Sequence, residues 1–315
     1  MNFEKNIFLL WLQGWEKAPW LQQKNLNSWR VNNPNWDVHL IDWNNLGNYI
    51  QDIDYIYDDS KDISFQAISD IVRLSLLKNY GGVWADSTLL CMQPLDHWFM
   101  DALHPSGMWM YHGHGAEMNS DLGPASWFIL SEKKGYLITK WKKACDRFWA
   151  KNNNARNYFW MDSLFKNLVE NDKKFKKLWV KTPFLYCEKF GSSHTLADYN
   201  CGMIKDTKLI KEIFQNKPPY VLKLSSKFKN IFPELNSKKF INSNAYFAIS
   251  MSQRQYIYNH GFDNSVSIIS PIKKNIFLKI LIKIIKKIKN NFYLMKFYSF
   301  ITKLIIKIYR YFQKL

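Results

Sequence analysis

Glycine is scarce in this chain, 12 residues of 315, where about 7% is usual. Neither G-x-G-x-x-G nor G-x-x-x-x-G-K-[ST] occurs, which argues against any mechanism that needs a glycine-rich phosphate cradle. A bound nucleotide diphosphate would then need a metal or Lys and Arg side chains to neutralise it. The four cysteines, Cys91, Cys145, Cys187 and Cys201, lack the paired spacing of metal ligands, and reduced thiols in the cytoplasm are the simplest reading. No secretory signal opens the chain, because Gln13 and Glu16 soon interrupt the apolar run Ile7-Phe8-Leu9-Leu10-Trp11. No uncharged stretch reaches the ~18 residues of a membrane-spanning helix.

Acidic charge is missing from one end. Residues 273–315 hold twelve Lys and Arg and no Asp or Glu, which leaves 32 basic against 26 acidic residues in 1–272. Most of the net charge of +18 therefore belongs to a tail that is a separate electrostatic object. Its lysines alternate at helical spacing with Ile280, Leu281, Ile284, Ile285 and Ile288, and a second stripe runs through Phe297, Ile301, Leu304, Ile308 and Phe312. Basic amphipathic helices of this kind lie in a membrane interface. Binding to nucleic acid explains the charge but not the apolar stripe. A helical hairpin packed on the body, or a dimer contact, is the competing structural reading. The chain thus reads as a body of residues 1–270 and a tail of residues 271–315. The body is rich in aromatic residues, with 14 Trp in the chain, which suits core packing and also stacking on the apolar faces of sugars.

Periodicity in the body alternates between strand and helix. A buried strand is predicted at Ile7 to Trp11, a helix over 20–32 stopped by Asn33-Pro34, a strand at Trp36 to Ile41 and a short helix near Asn44 to Ile50. That order suggests a parallel sheet with helices packed on it. Ser64 to Tyr80 is the most legible helix, apolar at nearly every turn and stopped by Gly81-Gly82. Val83-Trp84-Ala85 then forms a strand that delivers Asp86 at its carboxyl end. Residues 127–179 read as mainly helical.

Asp70 and Arg73 stand three apart on this helix and share a face. They are either an ion pair bracing a buried helix or part of a site. The second reading gains from Asp86, since ligands of open α/β sheets bind at the carboxyl edge of the strands.

Ser69-Asp70-Ile71-Val72-Arg73 followed by Tyr80-Gly81-Gly82-Val83-Trp84-Ala85-Asp86-Ser87-Thr88 resembles the signature of capsular polysaccharide synthesis proteins, relatives of glycosyltransferase family 32. Trp11-Leu12-Gln13-Gly14 and Asn33-Pro34-Asn35-Trp36 are similar to that family's opening, and Tyr158-Phe159-Trp160-Met161-Asp162 and Lys223-Leu224-Ser225 to its later blocks. The resemblance implies a GT-A-like nucleotide-sugar-binding domain, a Rossmann-like mixed sheet flanked by helices with helical insertions. It implies transfer of a hexose, with retention, from UDP-glucose or UDP-galactose to a saccharide acceptor, expected to be lipid-linked, on the inner face of the cell membrane. Catalysis and donor binding fall on Asp70, Arg73 and Asp86, with Trp11, Gln13, Gly14, Gly82, Ser87 and Thr88 also around the donor. Asp86 takes the first acidic place of a D-x-D motif that holds Mn²⁺ or Mg²⁺. Thr88 takes the second place without a charge, so His260 or Asp263 is the candidate for a further metal ligand. Asp162, His112 and His114 are the candidates for the acceptor. The rival functions are a degenerate transferase fold that binds carbohydrate or membrane, and a glycoside hydrolase, which needs two carboxylates flanking the bond.

Overall fold

In the computed structural model, which describes residues 3–112, 124–183, 185, 218–224 and 228–254, the first apolar run becomes the strand around which everything else is laid. β1 (Asn6–Leu10) is apolar after its first residue because it is covered on both faces. Phe8 and Leu10 enter one core while Ile7 and Leu9 enter another, as the two-residue period of a strand requires. β2 (Asp37–Ile41) and β3 (Gly82–Ala85) flank β1 in parallel. Next come β4 (Leu89–Cys91), β5 (Met108–His112) and β6 (Pro124–Ser131). β6 runs antiparallel to β3 and to β5, which gives the order β2-β1-β3-β6-β5.

The helices are α1 (Trp20–Asn32), α2 (Leu46–Tyr49), α3 (Phe65–Tyr80), α4 (Phe99–Leu103), α5 (Tyr136–Trp149), α6 (Trp160–Asn171) and α7 (Lys173–Trp179). Apolar side chains of α3, α5, α6 and α7 share a core with Phe8, Leu10, Trp84, Met108, Met110 and Ile129. Leu26 and Trp29 of α1 and residues of α4 pack with the other faces of the same strands. The result is the mixed sheet flanked by helices that the sequence led us to expect. One stretch departs from expectation. Residues 127–131 belong to β6 rather than to a helix: Phe128 and Leu130 are buried in one core and Ile129 in the other. The tail of residues 271–315 lies outside the described residues.

Two local devices place the carboxyl end of β3. The first is the double glycine. Ser64 caps α3 by accepting a hydrogen bond from the Ala67 N–H at 3.2 Å, and Gly81, at φ +71°, ends the helix with its N–H on the Leu77 carbonyl. Gly82 adopts φ +101°, and a Cβ there would stand 2.5 Å from the Asn6 carbonyl oxygen. The reversal from helix to strand and the close passage beside β1 both require the missing side chains.

The second device is the polar side of α1. Residues at helical spacing, Asn25, Ser28, Trp29 and Asn32, are all buried. Asn25 donates to the Ser87 carbonyl at 2.7 Å, Trp29 to that of Leu89 at 3.0 Å and Asn32 to that of Cys91 at 3.3 Å, while Ser28 Oγ accepts from the Cys91 N–H at 2.9 Å. On its other edge β4 pairs antiparallel with β7 (Val221–Lys223), Leu89 opposite Lys223. A three-residue strand thereby satisfies its main chain from a helix and from a second strand.

Gly82→Ala is expected to lower stability by about 1–3 kcal/mol through the left-handed conformation and the collision with Asn6. Urea unfolding of the purified variant against the parent checks this, and an unchanged midpoint would refute the close-passage argument.

Candidate functional site

The carboxyl ends of the parallel strands β1 and β3 open into a cavity of about 540 Å³. The edge position is the one that parallel α/β sheets use for ligands. Four charged side chains from separate parts of the chain are joined in it. Arg73 on α3 lies with Nη1 2.9 Å from Asp70 Oδ1 and Nη2 3.0 Å from Asp86 Oδ1. Lys223, at the end of β7, reaches Asp86 Oδ2 at 3.1 Å. The order along the row is Asp70, Arg73, Asp86, Lys223, with the signs alternating.

Arg73 is held on every side. Nη1 also donates to Ser126 Oγ at 2.9 Å and Nη2 to Ser69 Oγ at 3.1 Å, and the guanidinium lies 5.1 Å from the Trp84 ring centroid. Its remaining polar atom, Nε, is buried with no hydrogen-bond partner among the described residues. With three N–H bonds and an ion pair spent inside the protein and the residue 5% exposed, Arg73 acts mainly on its two carboxylates. Asp86 is held as firmly. Oδ1 accepts from Trp84 Nε1 at 2.9 Å as well as from Arg73, and its main-chain N–H bonds the Trp127 carbonyl at 2.9 Å.

The carboxyls in the cavity differ in acidity for physical reasons. Burial raises both Asp70 and Asp86. At Asp86 the charges of Lys223 and Arg73 outweigh it and hold the group below its usual range. At Asp70 burial wins over Arg73, helped by the negative charge of Asp86, and the group is pushed up to about 6. Asp162, in the first turn of α6, is 7% exposed and makes no hydrogen bond or ion pair among the described residues. Burial, with the charge of Asp70 added, pushes it up to about 7. Asp162 is thus no surface carboxylate but part of the cavity wall.

The other expected residues divide. Trp11, Gln13, Ser87 and Thr88 line the cavity. Gly14 stands in the adjoining turn at φ +94°, its N–H on the Trp11 carbonyl. Trp15 is not a wall of the site but core, with Nε1 bonded to the Ile41 carbonyl at 3.1 Å. Gly82 is corrected too: it sits at the opposite end of β3 from Asp86, outside the cavity lining, and serves the passage beside Asn6. The side chain of His112, and His114, His260 and Asp263 altogether, lie outside the described residues.

Sequence reasoning missed Lys223 as a member of the site. Its signal was one lysine inside the apolar run Val221-Leu222-Lys223-Leu224. Leu222 and Leu224 enter a third core while Val221 enters the core beside the sheet, so the alternation places Lys223 on the side of Val221 and the cavity. The Leu224 N–H on the Thr88 carbonyl, 2.9 Å, fixes that register. Ser69 and Ser126 were missed as partners of Arg73.

The expected Mn²⁺ or Mg²⁺ does not fit the described residues. Hard cations need oxygen ligands with open lone pairs, and both oxygens of Asp86 already face cations. A divalent ion on Asp86 Oδ2 would lie within about 5 Å of the Lys223 ammonium, a repulsion of roughly 6 kcal/mol at an effective dielectric of ~20. Thr88 adds only a hydroxyl, and no three His, Cys, Asp or Glu converge among the described residues.

The fold and the cavity together define an α/β protein with a charged ligand cleft at the carboxyl ends of its parallel strands. Residues 1–242 match the capsular polysaccharide synthesis protein family, and the chain belongs to it. The chain is similar to glycosyltransferase afumC of Aspergillus fumigatus (strain CBS 144.89 / FGSC A1163 / CEA10), 27% identical over 157 residues, 46% of this chain and 38% of that protein. It is also similar to O-glycosyltransferase braB of Annulohypoxylon truncatum, 24% identical over 170 residues, 49% of this chain and 40% of that protein. These matches span about two fifths of the length of either relative. Among solved structures, the PaToxG glycosyltransferase aligns with a TM-score of 0.37 and 17% identity over 54% of this chain and 69% of that one.

Because Asp162 carries a proton more readily in the folded chain than at its ordinary value of 3.8, it favours the fold fully below about pH 4, and that advantage is lost as pH rises through about 7. Asp162→Asn is therefore expected to match the parent near pH 4 and to exceed its stability at pH 8 by on the order of 2 kcal/mol. Urea unfolding at the two pH values checks the difference, and a variant less stable than the parent at pH 8 would refute the assignment.

Proposed function

We propose that this protein is a glycosyltransferase that moves a hexose from a nucleotide sugar to a saccharide acceptor in the synthesis of a capsular or other surface polysaccharide. One observation carries the reading: Asp70, Arg73, Asp86 and Lys223 form a fixed row of alternating charge in a cleft at the carboxyl ends of β1 and β3. Membership of the capsular polysaccharide synthesis family and the names of the two similar proteins, both glycosyltransferases, support the chemistry. A uridine diphosphate hexose, glucose or galactose, is the donor we favour, and retention the stereochemical course, both on the family resemblance.

The cleft suits such a donor. Trp11 and Gln13 follow β1 in the cavity lining, and on the family resemblance we assign them to the base and ribose. In the transfer, the bond from the anomeric carbon to the diphosphate oxygen breaks, an acceptor oxygen bonds to that carbon, and the acceptor's proton passes to the departing diphosphate. Negative charge grows on the departing diphosphate, and the fixed charges of the cleft stabilise it. Asp86 orients the basic side of the row, and Asp162, without a hydrogen bond or ion pair among the described residues, suits a sugar hydroxyl. At the mouth Tyr158 and Phe65 are 72% and 59% exposed. Large aromatic rings left open beside a polar cleft suit the apolar faces of acceptor sugars.

Asp86→Asn is expected to lower turnover of UDP-glucose or UDP-galactose at least ~100-fold, the usual cost of losing one preorganised electrostatic contact, while the variant remains folded by circular dichroism. Full turnover in the folded variant would sink the assignment. Binding of the nucleotide sugar with no turnover by the parent, over a panel of saccharide acceptors, would favour the binding-protein reading that Thr88 keeps open.

We place the enzyme on the inner face of the cell membrane, beside a lipid-linked acceptor, through residues 273–315. The twelve basic residues and the apolar stripe of that segment are the support, since each Lys or Arg near anionic lipid contributes about 1 kcal/mol. Among the described residues no helix is long and apolar enough to cross a membrane. The intact chain should float with vesicles of anionic phospholipid and detach as salt rises, and a chain ending at Ser270 should not float. Equal flotation of the two would refute the anchor.

A further inference from the structure

Resting on the nucleotide-sugar reading above, we propose that Lys223, rather than a divalent cation held by Asp86, is the group that takes the donor's diphosphate. The side chains that line the cleft include two cations, Arg73 and Lys223. Arg73 has three hydrogen bonds, to Asp86, Ser69 and Ser126, beside its ion pair with Asp70, so it has little left to give a ligand. Lys223 has one, to Asp86 Oδ2 at 3.1 Å. An ammonium carries three N–H bonds, and two of these have no partner among the described residues.

The placement is built and not incidental. Lys223 is opposite Leu89 in the β4–β7 pair, three residues beyond Asp86. The next residue, Leu224, is tied to Thr88, the position where a D-x-D motif has its second acid. The ammonium is 5.3 Å from the Trp127 ring centroid, an aromatic face that favours a cation. Its side chain keeps 21% of its surface open. Asp86 thus anchors a fixed monovalent cation where the resemblance led us to expect a mobile divalent one. Asp70 and Asp162, whose carboxyls hold protons up to about 6 and about 7, present less negative charge to an entering diphosphate than ordinary carboxylates would.

Calorimetric titration with uridine diphosphate and with uridine, each in chelator and in Mn²⁺, tests this on the full chain, on Lys223→Met and on Lys223→Arg. The parent is expected to bind uridine diphosphate equally well, within about twofold, with chelator or Mn²⁺. Lys223→Met should weaken that binding roughly 10- to 100-fold, the loss of a charge-assisted contact. Its affinity for uridine should stay within about twofold, and Lys223→Arg should recover most of the loss. Parent binding that requires Mn²⁺, with Lys223→Met binding like the parent, overturns the inference and leaves the nucleotide-sugar reading standing. Equal losses for uridine and uridine diphosphate in both variants assign Lys223 to structure and likewise overturn it. No binding by the parent to uridine, guanosine or adenosine diphosphate in either condition defeats the nucleotide-sugar reading itself.

Discussion

The row Asp70, Arg73, Asp86, Lys223 is the constraint on which the rest of the molecule depends. Removing charges from water costs several kcal/mol per ion, and pairing repays this only with good geometry and further hydrogen bonds. The molecule meets both conditions by drawing the four members from three elements. α3 brings Asp70 and Arg73, β3 brings Asp86, β7 brings Lys223, and β6 supplies Ser126. The helix, two strands of the main sheet and one of the small sheet must therefore keep their mutual positions to within the reach of a hydrogen bond. The double glycine after α3 and the polar side of α1 are the means by which they do so. Both act on the segment from Gly81 to Cys91, which carries Asp86 and leads to the partner of β7.

Much of this was readable from the chain. The helix at 65–80, its serine cap and its glycine stop follow from local chemistry, as does the strand that ends at Asp86. Spacing of three on a helix placed Asp70 and Arg73 on one face, and they are paired at 2.9 Å. Two things were not readable. The strand at 124–131 is apolar at nearly every position because it is covered on both sides, and such a run has no period by which to tell it from a buried helix. Lys223 joins Asp86 through a strand pairing between distant segments, and no local pattern specifies which distant strand pairs with which. Arg73 was legible as a member of the site but not in its role, since its engagement by two serines and two carboxylates is a property of the packed molecule.

The aromatic wealth of the sequence also resolves into parts. Trp29, Trp84, Trp98, Trp109, Trp141 and Trp149 are among the largest fully buried side chains, and Trp98, Trp109 and Phe128 contact one another with centroids 5.5 to 6.1 Å apart. Packing claims most of the rings. Those left for a ligand are few and sit at the cleft, with Trp11 partly covered and Tyr158 and Phe65 open.

The pairing of β4 with β7 also bears on how the molecule is made. Leu89 waits for Lys223 across about 130 residues of chain, and at a synthesis rate of ~5–20 residues per second that interval is roughly 7–26 s. Once Ser131 has emerged the main sheet has all of its strands, but Asp86 has only Arg73 and Trp84 to answer its charge and one edge of β4 is bare. The nascent chain therefore passes through a stage in which it has a core and no finished cleft. Loop closure over such a distance is slow relative to local contacts, so the last event in assembling the cleft is the arrival of its lysine. The molecule becomes competent to hold its ligand only when nearly all of its folded body has left the ribosome.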